Sequence, residues 1–68
     1  MRMPMSRKDE LELDYLRAQR KWMKEHHTTE MMLTAQNASG FEQQLAKEEA
    51  ALKEYRSAQR AFINALRE

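Results

Sequence analysis

The stretches YLRAQRKWM at residues 15–23 and YRSAQRAFI at residues 55–63 are two versions of one nine-residue pattern. Tyr, Ala, Gln and Arg are identical in both, and the last two positions carry an aromatic residue followed by a long apolar one. The single glycine of the chain, Gly40, lies between the copies. Because glycine tolerates the backbone conformations of tight turns, the pattern predicts two related helices folded back on each other about one turn.

The repeat also predicts the register of that hairpin. If the chain reverses near residues 38–39, Tyr15 faces Phe62 and Trp22 faces Tyr55, with the Ala and Gln of each motif between them. Duplication of one helix and convergence on the demands of helix packing both explain such a repeat. In either case, agreement between a local pattern and a global fold favours a single structure.

The composition is typical of helices, with one Pro, one Gly and many Glu, Gln, Lys, Arg, Ala, Leu and Met residues. The chain has no Cys, which excludes disulfides and thiolate metal sites. Twelve basic and 11 acidic residues leave a net charge of only +1, unlike a strongly basic nucleic-acid-binding protein. No segment approaches the roughly 20 apolar residues that cross a bilayer, so we predict no membrane partner and a cytoplasmic location.

The chain divides into a short tail and one all-α domain. Residues 1–5 are predicted to be a disordered tail, and Ser6 with Asp9 resembles the start of a capping box. Residues 6–68 are predicted to form a single helical-hairpin domain. Its elements are helix one at about 7–37, a turn at about 38–40, and helix two at about 41–67.

Two local signals refine this outline. The β-branched residues Thr28 and Thr29 lower helix propensity, but no Gly or Pro stops the helix there. A continuous helix one is therefore favoured, and a break that would create three helices stays open. Ser39 and Glu42 have the S-x-x-E spacing of a capping box at the start of helix two.

The apolar positions predict more than one neighbour for helix one. Ala51, Ala58 and Ala65 recur every seven residues on helix two, which allows a close approach between antiparallel helices. Helix one carries a second apolar stripe, Leu13, Leu16, Met23, His27 and Met31, which a single hairpin leaves uncovered. The candidate residues of the hairpin core and dimer interface are Leu11, Tyr15, Ala18, Trp22, Met32, Leu45, Leu52, Tyr55, Ala58, Phe62 and Leu66.

A second copy of the chain is the simplest cover for that stripe. Two hairpins would form an antiparallel four-helix bundle, so the chain itself is the first predicted partner. The polar stripe residues Gln19 and Gln59 lie within about one turn of each other in the predicted register. Their amides could pair, and such residues often define register at some cost in stability.

No constellation predicts catalysis. His26 and Glu30 have the spacing of two metal ligands on a helix, but also that of an ordinary i,i+4 pair. Helix two has no histidine to complete a metal site, so we predict no metal and no cofactor. There is no Cys, no Gly-rich phosphate loop, and no Ser/His/acid set that a hairpin could bring together. We therefore predict that the chain is not an enzyme and has no small-molecule substrate.

The favoured function is a small protein-interaction module, such as a regulator, adaptor or assembly factor, acting as a homodimer. The alternative is a nucleic-acid-binding regulator that uses a basic band on helix one. The candidate nucleic-acid or partner contacts are Arg17, Arg20, Lys21, Lys24, Arg56 and Arg60. A helix-turn-helix at 29–45 is disfavoured, because its recognition helix would carry three glutamates. The chain would suit a small bacterial, plasmid or phage accessory protein.

Overall fold

The computed structural model describes residues 5–68. It contains α1, Arg7–Thr34, and α2, Phe41–Leu66, which pack against each other along their length. The predicted all-α helical hairpin is therefore confirmed. The predicted disordered tail at residues 1–5 lies outside the described residues except for Met5, which is exposed.

The start of α1 follows the sequence signal. The Ser6 hydroxyl accepts a hydrogen bond from the Asp9 backbone N–H at 3.2 Å, so Ser6 is the N-cap residue. Asp9 and Glu10 lie in the first turn, where the positive end of the helix dipole stabilises acidic side chains. Local chemistry alone therefore defines this end of the helix.

The helix continues through the two threonines. The Thr28 hydroxyl donates to the Lys24 carbonyl and the Thr29 hydroxyl donates to the Glu25 carbonyl, each at 3.1 Å. These bonds satisfy both hydroxyls within the helix, as threonines in helices often do. The alternative of three helices is excluded, because α1 runs unbroken from Arg7 to Thr34.

The end of α1 differs from the prediction. The helix stops at Thr34 rather than near residue 37, because Gln36 adopts a left-handed conformation with φ of 56°. The Gln36 N–H donates to the Leu33 carbonyl at 3.0 Å, and the Asn37 N–H donates to the Met32 carbonyl at 2.9 Å. This pair of bonds is a Schellman motif. Its left-handed position usually holds glycine, so a glutamine there gave no sequence signal.

The start of α2 is also built differently. Gly40 is the N-cap residue, with φ of 74° and no side-chain capping bond. The predicted Ser39 capping box is therefore wrong. The Ser39 N–H instead donates to the Asn37 side-chain carbonyl at 3.1 Å, which places Ser39 in an Asx turn before the helix.

The interface between the helices is narrow and rich in small residues. Ala51, at 2% exposure, and Ala65 are buried, and Ala58 between them is half-buried. The candidate core residues are half-buried or buried with one exception. Leu66, the last residue of α2, is 57% exposed, so it lies outside the hairpin core.

The left-handed positions of the turn generate a stability prediction. We expect Gln36→Gly to raise the free energy of unfolding by about 0.5–1 kcal/mol, since it relieves left-handed strain at Gln36. We expect Gly40→Ala to lower it by about 1 kcal/mol. A Cβ at Gly40 would meet no atom within 4 Å, so the expected loss comes from left-handed backbone strain and not from a steric clash. Urea unfolding followed by circular dichroism measures both changes, and a destabilising Gln36→Gly would contradict the Schellman geometry.

Candidate interaction surfaces

A stack of aromatic rings joins the two helices at the repeated motif. The ring centroids of Phe62 and Tyr15 are 5.8 Å apart, those of Tyr15 and Tyr55 are 5.5 Å apart, and those of Tyr55 and Trp22 are 5.8 Å apart. We call these four residues the aromatic ladder. The contacts of Tyr15 with Phe62 and of Trp22 with Tyr55 confirm the predicted register. Each ring pair contributes about 0.5–1.5 kcal/mol beyond its buried area.

The ladder continues into a polar contact between the helices. The His26 ring stacks on Trp22 at 5.3 Å, and its Nδ1 lies 2.5 Å from a carboxylate oxygen of Glu48. Its Nε2 is 3.7 Å from Glu30, the partner considered from sequence. Across residues 5–68, no group of three or more His, Cys, Asp or Glu side chains is arranged to hold a metal ion.

A buried amide also links the helices. Gln44 is only 8% exposed, and its Nε2 donates to the Glu25 carbonyl at 3.0 Å and to the Glu25 carboxylate at 3.1 Å. Sequence reasoning missed this residue. The available signal was its position, seven residues before Ala51, where it extends the row of small residues. A polar group buried with its hydrogen bonds satisfied favours this register over others.

An ion pair marks one side of the hairpin. Lys21 Nζ lies 3.2 Å from a Glu54 carboxylate oxygen. Both side chains are exposed, so the pair adds little to stability. It does neutralise Lys21, one of the candidate nucleic-acid contacts. We call this the ion-pair side of the hairpin.

The opposite side is apolar and uncovered. A helix turns by about 100° per residue, so Met23 lies nearly half a turn from Lys21. By the same count Ile63 lies half a turn from Glu54. Leu16 falls in the same sector of α1, and all three are exposed. We call Leu16, Met23 and Ile63, with the half-buried Leu45 and Leu52 beside them, the apolar side.

A basic groove lies on α2 near the open end of the hairpin. It has a volume of about 490 Å³. Its lining residues are Arg56, Gln59, Arg60, Ile63, Asn64 and Arg67. We call it the arginine groove. Sequence reasoning named two of its arginines and missed Arg67, while the α1 cations Arg17, Arg20 and Lys24 are exposed and do not line it.

Comparison of the chain with protein-family models, curated proteins and solved structures finds no match. Within residues 5–68, neither helix combines the length and apolar composition needed to cross a bilayer.

The tyrosine pair of the ladder generates a prediction about pH. The hydrogen bond with the Tyr55 hydroxyl at 3.5 Å, then burial, then the charge of Tyr55, raise the pKa of Tyr15 above 10.0, and Gln59 offsets part of this. A raised pKa means that folding favours the neutral phenol. The stability it contributes is present below the unfolded pKa and is lost as pH rises through the folded pKa.

We therefore expect the melting temperature to fall more steeply above pH 10 in the native chain than in Tyr15→Phe. The two proteins differ only in the Tyr15 hydroxyl, so the difference between the two curves reports on this phenol. Thermal unfolding measured across the alkaline range tests this. Parallel curves would contradict the link between Tyr15 ionisation and folding.

Proposed function

We propose that this chain is a non-catalytic protein-interaction module that acts as a homodimer, with two hairpins joined through their apolar sides in a four-helix bundle. The observation that carries the proposal is the exposed apolar side, which includes residues of both helices. Within residues 5–68 no large side chain is fully buried. A single hairpin therefore has an interface but no enclosed core.

The accessible surface supports this proposal. The chain exposes 5963 Å², whereas a compact folded chain of 8.1 kDa exposes about 4,500 Å². The excess is on the order of 1,500 Å², and a standard interface buries about 800 Å² on each partner. The hairpin thus has enough spare surface for a stable dimer.

A second copy is the occupant that the apolar side fits best. A two-fold axis brings one patch against itself, so leucines, methionine and isoleucine would meet the same residues. The half-buried amides Gln19 and Gln59 border this patch. In the bundle they would approach the central seam, where polar residues select register and oligomeric state.

The partner-binding part of the proposal concerns the remaining apolar surface of α1. Met31 and Leu33 are exposed beyond the apolar side, and a shallow groove of about 370 Å³ near the turn has Met31 in its lining. Flexible methionine side chains adapt to varied partner surfaces. This supports a regulator, adaptor or assembly factor, which we expect to act in the cytoplasm.

Two matched methionines test the dimer. The stripe predicted from sequence includes both Met23 and Met31, but only Met23 belongs to the apolar side, because Met31 lies about 80° farther round α1. The two side chains are 55% and 59% exposed. We expect Met23→Asp to weaken dimerisation by at least about 100-fold, because the dimer would bury an unpaired charge. We expect Met31→Asp to leave the dimer intact. Light scattering during size exclusion should give twice 8.1 kDa for the native chain and for Met31→Asp.

Two results would contradict the proposed dimer. One is a native mass of 8.1 kDa at every concentration. The other is an equal loss of dimer from both substitutions. Circular dichroism of each variant verifies that the helices remain formed.

A further inference from the structure

We propose that the arginine groove binds the phosphate backbone of a nucleic acid. The groove lies on α2 of a single chain, so this inference does not require the dimer. Arg56, Arg60 and Arg67 all line it, and the ion pairs within residues 5–68 involve none of the three. Their guanidinium groups are therefore available to an external anion.

The charge of α2 is segregated along its length. Every acidic residue of the helix lies at or before Glu54, and positions 55–67 contain three arginines and no carboxylate. Glu54 itself is held by Lys21 on the other side of the hairpin. Glu68 follows the last turn of the helix. This segment of α2 is therefore basic although the net charge is only +1, and such a segment attracts polyanions. The facing stretch of α1 carries Glu10, Glu12 and Asp14.

Arginine spacing suits an extended anion. Arg56, Arg60 and Arg67 follow one face of α2, and they span about 16 Å at roughly 1.5 Å per residue. A duplex presents phosphates about every 3.4 Å along each strand, so the three side chains can reach several of them. Guanidinium binds phosphate in a bidentate manner, which an ammonium group cannot do.

The other lining residues favour nucleic acid over an acidic peptide or a lipid surface. Gln59 and Asn64 each present an amide that donates and accepts hydrogen bonds. Base edges both donate and accept hydrogen bonds, so they can pair with both ends of such an amide. A carboxylate only accepts hydrogen bonds, so it would leave the amide carbonyl oxygen without a donor. Ile63 is the single large apolar residue of the groove, which is too little for membrane insertion.

The groove and the apolar side overlap on α2. Ile63 belongs to both, and at about 100° per residue Arg56 lies only about 20° from it. Gln59 lines the groove and also borders the apolar patch. Arg60 lies about 60° from Ile63, so it would lie at the rim of a dimer formed through the apolar side. Arg60→Gln is therefore the substitution that separates loss of anion binding from loss of dimerisation.

The test measures binding of the full chain to labelled duplex DNA and duplex RNA of matched sequence by fluorescence anisotropy. Arg60→Gln removes a cation of the groove, and Lys47→Gln removes one from α2 on the ion-pair side. We expect Arg60→Gln to weaken binding about 10-fold, since it loses a charged hydrogen bond. For DNA it should also reduce the slope of log affinity against log salt by about 0.9. Lys47→Gln should retain the native affinity and slope.

Each outcome decides the proposal. Preference for DNA would indicate that α2 enters the wide major groove, and preference for RNA would indicate contacts to the backbone alone. No binding to either duplex at low salt, or equal effects of Arg60→Gln and Lys47→Gln, would overturn the assignment. So would equal or tighter binding of polyglutamate or of anionic vesicles. Light scattering of Arg60→Gln should show an unchanged mass, so failure here would not count against the dimer.

Discussion

Ring packing at the repeated motif determines how the two helices face each other, and the other contacts depend on that register. Tyr15 lies between Phe62 and Tyr55, and Tyr55 lies between Tyr15 and Trp22. A helix shifted by one turn would separate these rings. The same register brings His26 to Glu48 and Gln44 to Glu25, so one set of aromatic contacts positions two polar contacts between the helices.

The flat, elongated shape of the hairpin leaves much of each helix exposed, and the exposed surfaces differ in chemistry. With extents of 50 × 27 × 15 Å, the hairpin is one helix thick and cannot surround a core. Its apolar side supports self-association, its ion-pair side is solvated, and its arginine groove is suited to phosphates. A dimer through the apolar side would place Arg56 at its interface and Arg60 at its rim, so the self-association surface and the anion-binding surface overlap on α2.

Particular residues show how far sequence reasoning reached. The Ser6 cap, continuity through Thr28 and Thr29, and the pairing of Trp22 with Tyr55 were predictable because each depends on local chemistry or on a repeated spacing. The predicted Ser39 capping box was wrong because other local hydrogen bonds form at the turn. Gln36 accepts the left-handed conformation normally reserved for glycine, and Asn37 binds the Ser39 N–H, which shifts the cap of α2 to Gly40.

By itself, the sequence determined two helices, one reversal and their register, because helical periodicity and turn chemistry act over a few neighbouring residues. Only the tertiary structure decided that Glu48 rather than Glu30 approaches His26 most closely, and that Gln44 is buried against Glu25. It also placed Arg67 with Arg56 and Arg60 in one groove. The physical reason is that contacts between helices depend on rotation about each axis and on side-chain reach, which spacing along one chain does not specify.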